Sequence, residues 1–129
     1  MKVSVSIIIE NSKGEFLFFL RDDKETIPYP NHWCLLGGRV EEGETFEETI
    51  VREMKEEIEL ELKDFETFKK YEWPERTEIV FYKKMDLNLD VTPLHEGQKL
   101  KFFTTNELLE TDLVFCDNEI MRELLRTRE

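Results

Sequence analysis

Apolar positions fall into short runs separated by polar turns, except for one longer stretch that repeats every four residues. Val3, Val5, Ile7, Ile8 and Ile9 predict a largely buried strand over residues 2–10. Asn11-Ser12-Lys13-Gly14 predicts a hairpin turn, with a return strand over 15–21 that ends at Arg21. Residues 22–32 form a polar loop holding Pro28, Tyr29 and Pro30. Trp33-Cys34-Leu35-Leu36 is a short apolar strand that runs into a glycine-bearing loop, Gly37 to Gly43. Phe46, Ile50, Met54 and Ile58 then give the buried stripe of a helix. Thr45 followed three residues later by Glu48 is a capping box that marks where the helix starts. Beyond it, Leu62, Phe65, Phe68 and Tyr71 predict a strand over 61–72, turned at 73–76 into a partner over 77–87. A loop over 88–98, a strand over 99–104 and a short helix from Thr105 follow. The last helix runs to about Arg126 on Ile120, Leu124 and Leu125, with Asp117 or Asn118 as its cap. This order alone gives a compact α/β or α+β domain.

Composition narrows the function. The 129 residues suit one domain, 1–129, and 40% hydrophobic residues, ten of them Phe, supply a core. No apolar run reaches membrane-spanning length and no leader pattern is present, so a cytoplasmic location with no membrane partner is expected. A net charge of −12 opposes binding of long nucleic acid but not of a nucleotide, since metal ions bridge acidic protein to phosphate. Cys34 and Cys116 stand alone and suit free thiols in a reducing compartment. His32 and His95 are too scattered for a zinc site.

The chemistry concentrates on the long helix. Glu53 lies three residues from Glu56 and four from Glu57, so the carboxylates share one side of the helix. Like charges at such spacing cost roughly 0.2–0.5 kcal/mol a pair. A divalent cation reverses that sign, and oxygen-only ligands select Mg²⁺, or Mn²⁺, over zinc. In a chain that is 37% charged, a lone E-x-x-E-E is most often a solvated face. The surrounding residues change that reading.

The stretch from Gly38 to Leu60 resembles the Nudix box, G-x5-E-x7-R-E-U-x-E-E-x-G-U with U a bulky aliphatic. Gly38, Glu44, Arg52, Glu53, Met54, Glu56, Glu57 and Leu60 stand in register. The pattern's second glycine is replaced by Glu59, and Leu36 stands where many relatives carry proline. That glycine ends the helix with a positive φ, which a residue with a Cβ adopts at a cost of about 1 kcal/mol.

The resemblance implies a three-layer α/β/α sandwich with a mixed β-sheet, the box helix on one side and the C-terminal helix on the other. It implies a metal held by Glu53, Glu56 and Glu57 with help from the Gly37 carbonyl. Arg52 would orient Glu44 or Glu56 by an ion pair, and Glu96 would be a further catalytic carboxylate or an exposed loop residue. Arg21, at the end of the second strand, would contact substrate phosphate, with Gly38 and Arg39 as further substrate-binding positions. Tyr29 reads as a loop anchor or a base-stacking residue, and Asn118 as a helix cap or a reader of the nucleobase. The implied reaction is Mg²⁺-dependent hydrolysis of a nucleoside triphosphate, MutT-like, with 8-oxo-dGTP or another (d)NTP giving monophosphate and pyrophosphate. An ADP-ribose or sugar-nucleotide pyrophosphatase is the alternative, and Pro74 lies near where ADP-ribose members carry a proline. A Nudix-fold module that binds nucleotides without cleaving them has Glu59 in its favour and the intact carboxylates against it. RNA decapping is disfavoured by the acidic composition. Homodimers are common in the family.

Overall fold

The computed structural model describes residues 2–128. Its elements are β1 (Lys2–Glu10), β2 (Phe16–Leu20), β3 (Trp33–Cys34), β4 (Leu36–Arg39), α1 (Phe46–Ile58), β5 (Glu66–Trp73), β6 (Arg76–Lys84), β7 (Lys99–Phe103), α2 (Thr105–Glu110) and α3 (Asp117–Arg126).

The strands make one mixed sheet. β1 runs parallel to β6, from Lys2↔Arg76 to Glu10↔Lys84, and antiparallel to β4, from Ser4↔Arg39 to Ile7↔Leu36. β2 carries β3 on one side and β7 on the other, while β5 completes the far edge against β6.

Strand alternation divides the core in two. Ile7, Ile9, Leu17, Phe19, Ile79 and Phe81 face α1, where Ile50, Met54 and Ile58 pack against them. Ile8, Phe16, Phe18 and Val80 face the opposite way and meet Ile120, Met121 and Leu124 of α3. Three layers result, as expected: helix, mixed sheet, helix. Each buried aliphatic contributes roughly 1.5–3 kcal/mol relative to exposure. The Ile50–Met54–Ile58 stripe therefore also fixes the rotation of α1, and with it the direction of the carboxylates.

Three expectations need correction. Gly37 and Gly38 are not loop residues; they lie in β4, opposite Ser6 and Val5. The strand expected over 61–72 starts only at Glu66, because Asp64 turns the chain with φ 52° and the residues before it pack as a loop. The last helix is capped by neither Asp117 nor Asn118. Its cap position is Cys116, with φ 69° and no side-chain hydrogen bond.

The start of α1 is as expected. The Glu48 N–H donates to Thr45 Oγ1 at 3.1 Å, and the Thr45 N–H donates to the Glu48 carboxylate at 2.8 Å. Phe46 lies at the margin of the stripe, 36% exposed. The two cysteines are free thiols, Cys34 buried and Cys116 exposed. Among the described residues no helix is long and apolar enough to cross a membrane.

Candidate active site

α1 meets the sheet beside β4, and a cleft of about 760 Å³ opens there. Glu53, Glu57 and Glu96 line one end, Glu78 and Asp117 the other, with Arg21 and Phe115 on the wall. The sequence explains this placement step by step. Glu57 is three residues from Met54 and next to Ile58, so the buried stripe carries it under the sheet edge, where it is 4% exposed. Glu53, one turn earlier, follows it into the cleft, while Glu56 points outward and is exposed.

The adjoining strand has to be bare for this to fit. A Cβ at Gly38 would overlap the Glu53 carboxylate, and one at Gly37 would overlap the Val5 carbonyl across the ladder. The glycine pair is thus needed for close approach inside a strand rather than for a turn.

Arg52 organises the acidic group. Its Nε donates to Glu44 Oε2 at 2.7 Å and its Nη2 to Glu44 Oε1 at 3.0 Å, a bidentate pair. Nη1 donates to Glu53 at 2.9 Å and to Glu56 at 3.3 Å, and Nη2 also donates to the Arg39 carbonyl at 3.1 Å. The Arg52 guanidinium, then the Glu41 N–H and the Thr49 hydroxyl, hold the Glu44 carboxyl down at about 2.

Glu57 is the exception in this network. Its Oε2 is buried without a hydrogen-bond partner. Burial first, then a hydrogen bond with Glu53 and the charges of Glu53, Glu96 and Glu56, push its pKa up to about 10. A buried acceptor with nothing to accept, beside the carboxylates of Glu53, Glu56 and Glu96, fits a cation.

Among the described residues no cage of three or more donors stands ready-made. Glu53 and Glu56 turn to Arg52 instead. The donors are all carboxylate oxygens, which suits a hard divalent ion and not zinc. Glu96 is exposed at the rim, close enough for its charge to act on Glu57. Gly37, Gly38 and Arg39 line the cleft.

The opposite end has a different character. Glu78 accepts from Ser6 Oγ at 2.8 Å and Ser4 Oγ at 3.3 Å, with Arg76 3.5 Å away. Asp117 accepts from the Leu35 N–H at 2.8 Å and is 3% exposed. Burial, reinforced by the Glu78 charge, raises its pKa well above the ordinary carboxylate value. Flat groups line the same cleft. The Arg21 guanidinium sits 4.9 Å above the Phe115 ring, and Tyr29 meets the same ring edge-on at 5.4 Å. Arg21 is also braced by the Pro28 carbonyl, 3.0 Å from Nε.

Four expected site residues do not line this cleft: Glu44, Arg52 and Glu56 lie beside it in the Arg52 network, and Asn118 is held elsewhere. Asn118 accepts from the Leu113 N–H at 2.8 Å and donates to the Thr111 carbonyl at 3.0 Å. Its amide braces the loop before α3, and it does not cap the helix. Asp117 faces the cleft instead, because Phe115 and Cys116 both take left-handed backbone, φ 58° and 69°, and turn the helix start by one position. Sequence reasoning also missed Glu78. The available signal was a carboxylate at the head of the apolar run from Ile79 to Phe81, inside the predicted strand, which only a polar partner or a ligand site justifies.

Comparison with known proteins agrees with this geometry. The sequence matches the family model described as the NUDIX domain over residues 1–124. The Escherichia coli ORF135 protein is similar in structure at TM-score 0.76 and 25% identity, over 99% of this chain and 91% of that one. The MutT protein of Methanosarcina mazei superposes at TM-score 0.76 and 21% identity, over 99% and 95%. The NUDIX domain of Shewanella oneidensis NrtR, complexed with ADP ribose, superposes at 0.79 and 14% identity, over 98% and 88%. With Glu53 and Glu57 of the box lining its cleft and the family match running almost end to end, the chain belongs to the Nudix family and is a Nudix hydrolase domain.

Proposed function

We propose that this chain is a nucleoside triphosphate pyrophosphohydrolase that releases the nucleoside monophosphate and pyrophosphate. One observation carries the reading: a single cleft holds Glu57, with its unpartnered buried oxygen beside Glu53 and Glu96, together with the buried acids Glu78 and Asp117 and the flat side chains of Phe115 and Tyr29. The first end suits phosphates, and the second suits a nucleobase.

Glu53, Glu56 and Glu57 would hold Mg²⁺ or Mn²⁺, with the Gly37 carbonyl beside them. When bound, such an ion neutralises phosphate charge and makes water a stronger acid. The protein's own groups do the rest. Glu57 would offer the ion its buried oxygen, which has no partner within the protein. Arg52 keeps Glu44, Glu53 and Glu56 in position and stays off the substrate. Arg21 and Arg39 bring positive charge to the phosphate chain, Arg21 through a guanidinium able to pair two oxygens at once. Glu96 at the rim accepts the proton of the attacking water. Phe115 and Tyr29 stack on the base. Asp117, whose burial favours the neutral carboxyl, would donate to its edge while Glu78 accepts, a pattern suited to a base that offers acceptor and donor side by side.

A second reading, ADP-ribose hydrolysis, draws support from the likeness to a domain complexed with ADP ribose. The test is a panel of nucleoside triphosphates, 8-oxo-dGTP, ADP-ribose and sugar nucleotides, incubated with Mg²⁺ and resolved by mass. Turnover of a triphosphate well above the others supports the first reading. Turnover of ADP-ribose alone replaces it with the second.

A further inference from the structure

The segment from His95 to Gln98 is fastened at both ends. At one end the His95 N–H donates to the Glu57 carbonyl at 2.8 Å, and His95 Nε2 meets the Glu59 carboxylate at 2.5 Å. At the other end the Gln98 N–H donates to the Leu20 carbonyl at 2.7 Å. The Gln98 side chain donates to the Arg21 carbonyl at 2.8 Å and to Asn31 at 2.9 Å. Between them Gly97, with φ 91°, lies so close to Phe19 and the Leu20 carbonyl that no Cβ would fit. Glu96 is left no slack and lines the cleft together with Glu57.

Glu59 occupies the position that ends α1, with φ 54° and ψ 36°, a conformation that glycine adopts without strain. A glycine there would close the helix equally well, through the same N–H bonds to Met54 and Lys55. It would leave His95 without its carboxylate. We propose that Glu59 is a positioning residue: by holding His95 at the end of α1, it fixes the 95–98 segment so that Glu96 stands at the rim beside Glu57. This rests on the reading above in which Glu96 serves hydrolysis. The Glu59–His95 pair is exposed on both sides, 58% and 54%, so its effect is local rather than on global stability.

The experiment compares the wild type with Glu59→Gly and His95→Ala by amide hydrogen exchange and by steady-state kinetics on the preferred nucleotide. Glycine suits the backbone at 59, so that variant keeps its fold. Exchange at the 95–98 amides should rise in both variants while α1 stays protected. In both, kcat should fall roughly tenfold with KM within about twofold. In a Glu96→Gln background, Glu59→Gly should add nothing. Unchanged exchange in Glu59→Gly overturns the proposal. So does raised exchange with unchanged kcat, and so does an effect that persists in the Glu96→Gln background. If the wild type cleaves no nucleotide while exchange rises as expected, the hydrolytic reading has failed and Glu59 anchors the loop only.

Discussion

Arg52 and Glu44 face each other with two parallel hydrogen bonds, 2.7 Å and 3.0 Å long, at the edge of the carboxylate cluster. The pair spans the turn from the β4 loop to α1. The third nitrogen, Nη1, serves Glu53 and Glu56, and Nη2 also reaches the Arg39 carbonyl, so loop, helix and cluster share one guanidinium. A lysine cannot reproduce this fork. Arg52→Lys should lower kcat about 10–100-fold. Glu44→Gln should cost a similar factor, and the double variant little more than either. A double-mutant cycle in kcat/KM reads the coupling.

Glu57 gives a stability prediction that runs opposite to its effect on activity. Its folded pKa, about 10, lies above the ordinary carboxylate value of 4.5. Between those values the unfolded chain has released a proton that the native chain retains. Metal-free stability therefore falls as pH rises through that window. Glu57→Gln removes the slope and stabilises the metal-free protein at neutral pH by about 1–3 kcal/mol. Urea unfolding in EDTA from pH 5 to 9 checks both the sign and the slope. Added Mg²⁺ should stabilise the wild type and not the variant.

The glycines of β4 separate fold from site. Gly38→Ala places its methyl group against the Glu53 carboxylate, whereas Gly37→Ala drives one into the Val5 carbonyl. Gly38→Ala should keep most of the stability and lose activity, because a flexible side chain can move away. Gly37→Ala should cost about 2 kcal/mol or more, since backbone cannot move without breaking the ladder. Thermal unfolding and kcat measured side by side distinguish the two.

Asp117 and Asn118, adjacent in sequence, should behave differently. Asp117→Asn alters the group aimed at the base and should change the ranking among triphosphates. Asn118→Ala removes the two hydrogen bonds that brace the loop before α3 and should cost about 1–2 kcal/mol without changing that ranking. Relative kcat/KM across the bases, together with the melting midpoint, decides between them.

What could be read in advance follows from how local each determinant is. The Thr45–Glu48 box, the Ile50–Met54–Ile58 stripe and the carboxylate spacing are all encoded within a few turns of one helix, and they sit where the sequence puts them. Gly37 and Gly38 read as loop because glycine lowers strand propensity. The reason for them is the approach of Val5 and Glu53, which the chain order does not display. Leu62 and Phe65 alternate as a strand would, but they fill the core from a loop that the left-handed Asp64 redirects. The Glu78–Asp117 end of the cleft is the least legible part. It joins Glu78 of β6 to Asp117 of α3 across 39 residues, and two consecutive left-handed residues decide which side chain faces inward.

The central claim is that the carboxylates of α1 make this cleft a metal-dependent site for cutting a nucleoside triphosphate. The most direct test is one preferred triphosphate incubated with wild type and Glu57→Gln, each with Mg²⁺ and with EDTA, and the products identified by mass. Monophosphate and pyrophosphate should form only in the wild type with Mg²⁺. Equal turnover by Glu57→Gln, turnover in EDTA, or diphosphate and orthophosphate as products would contradict the account.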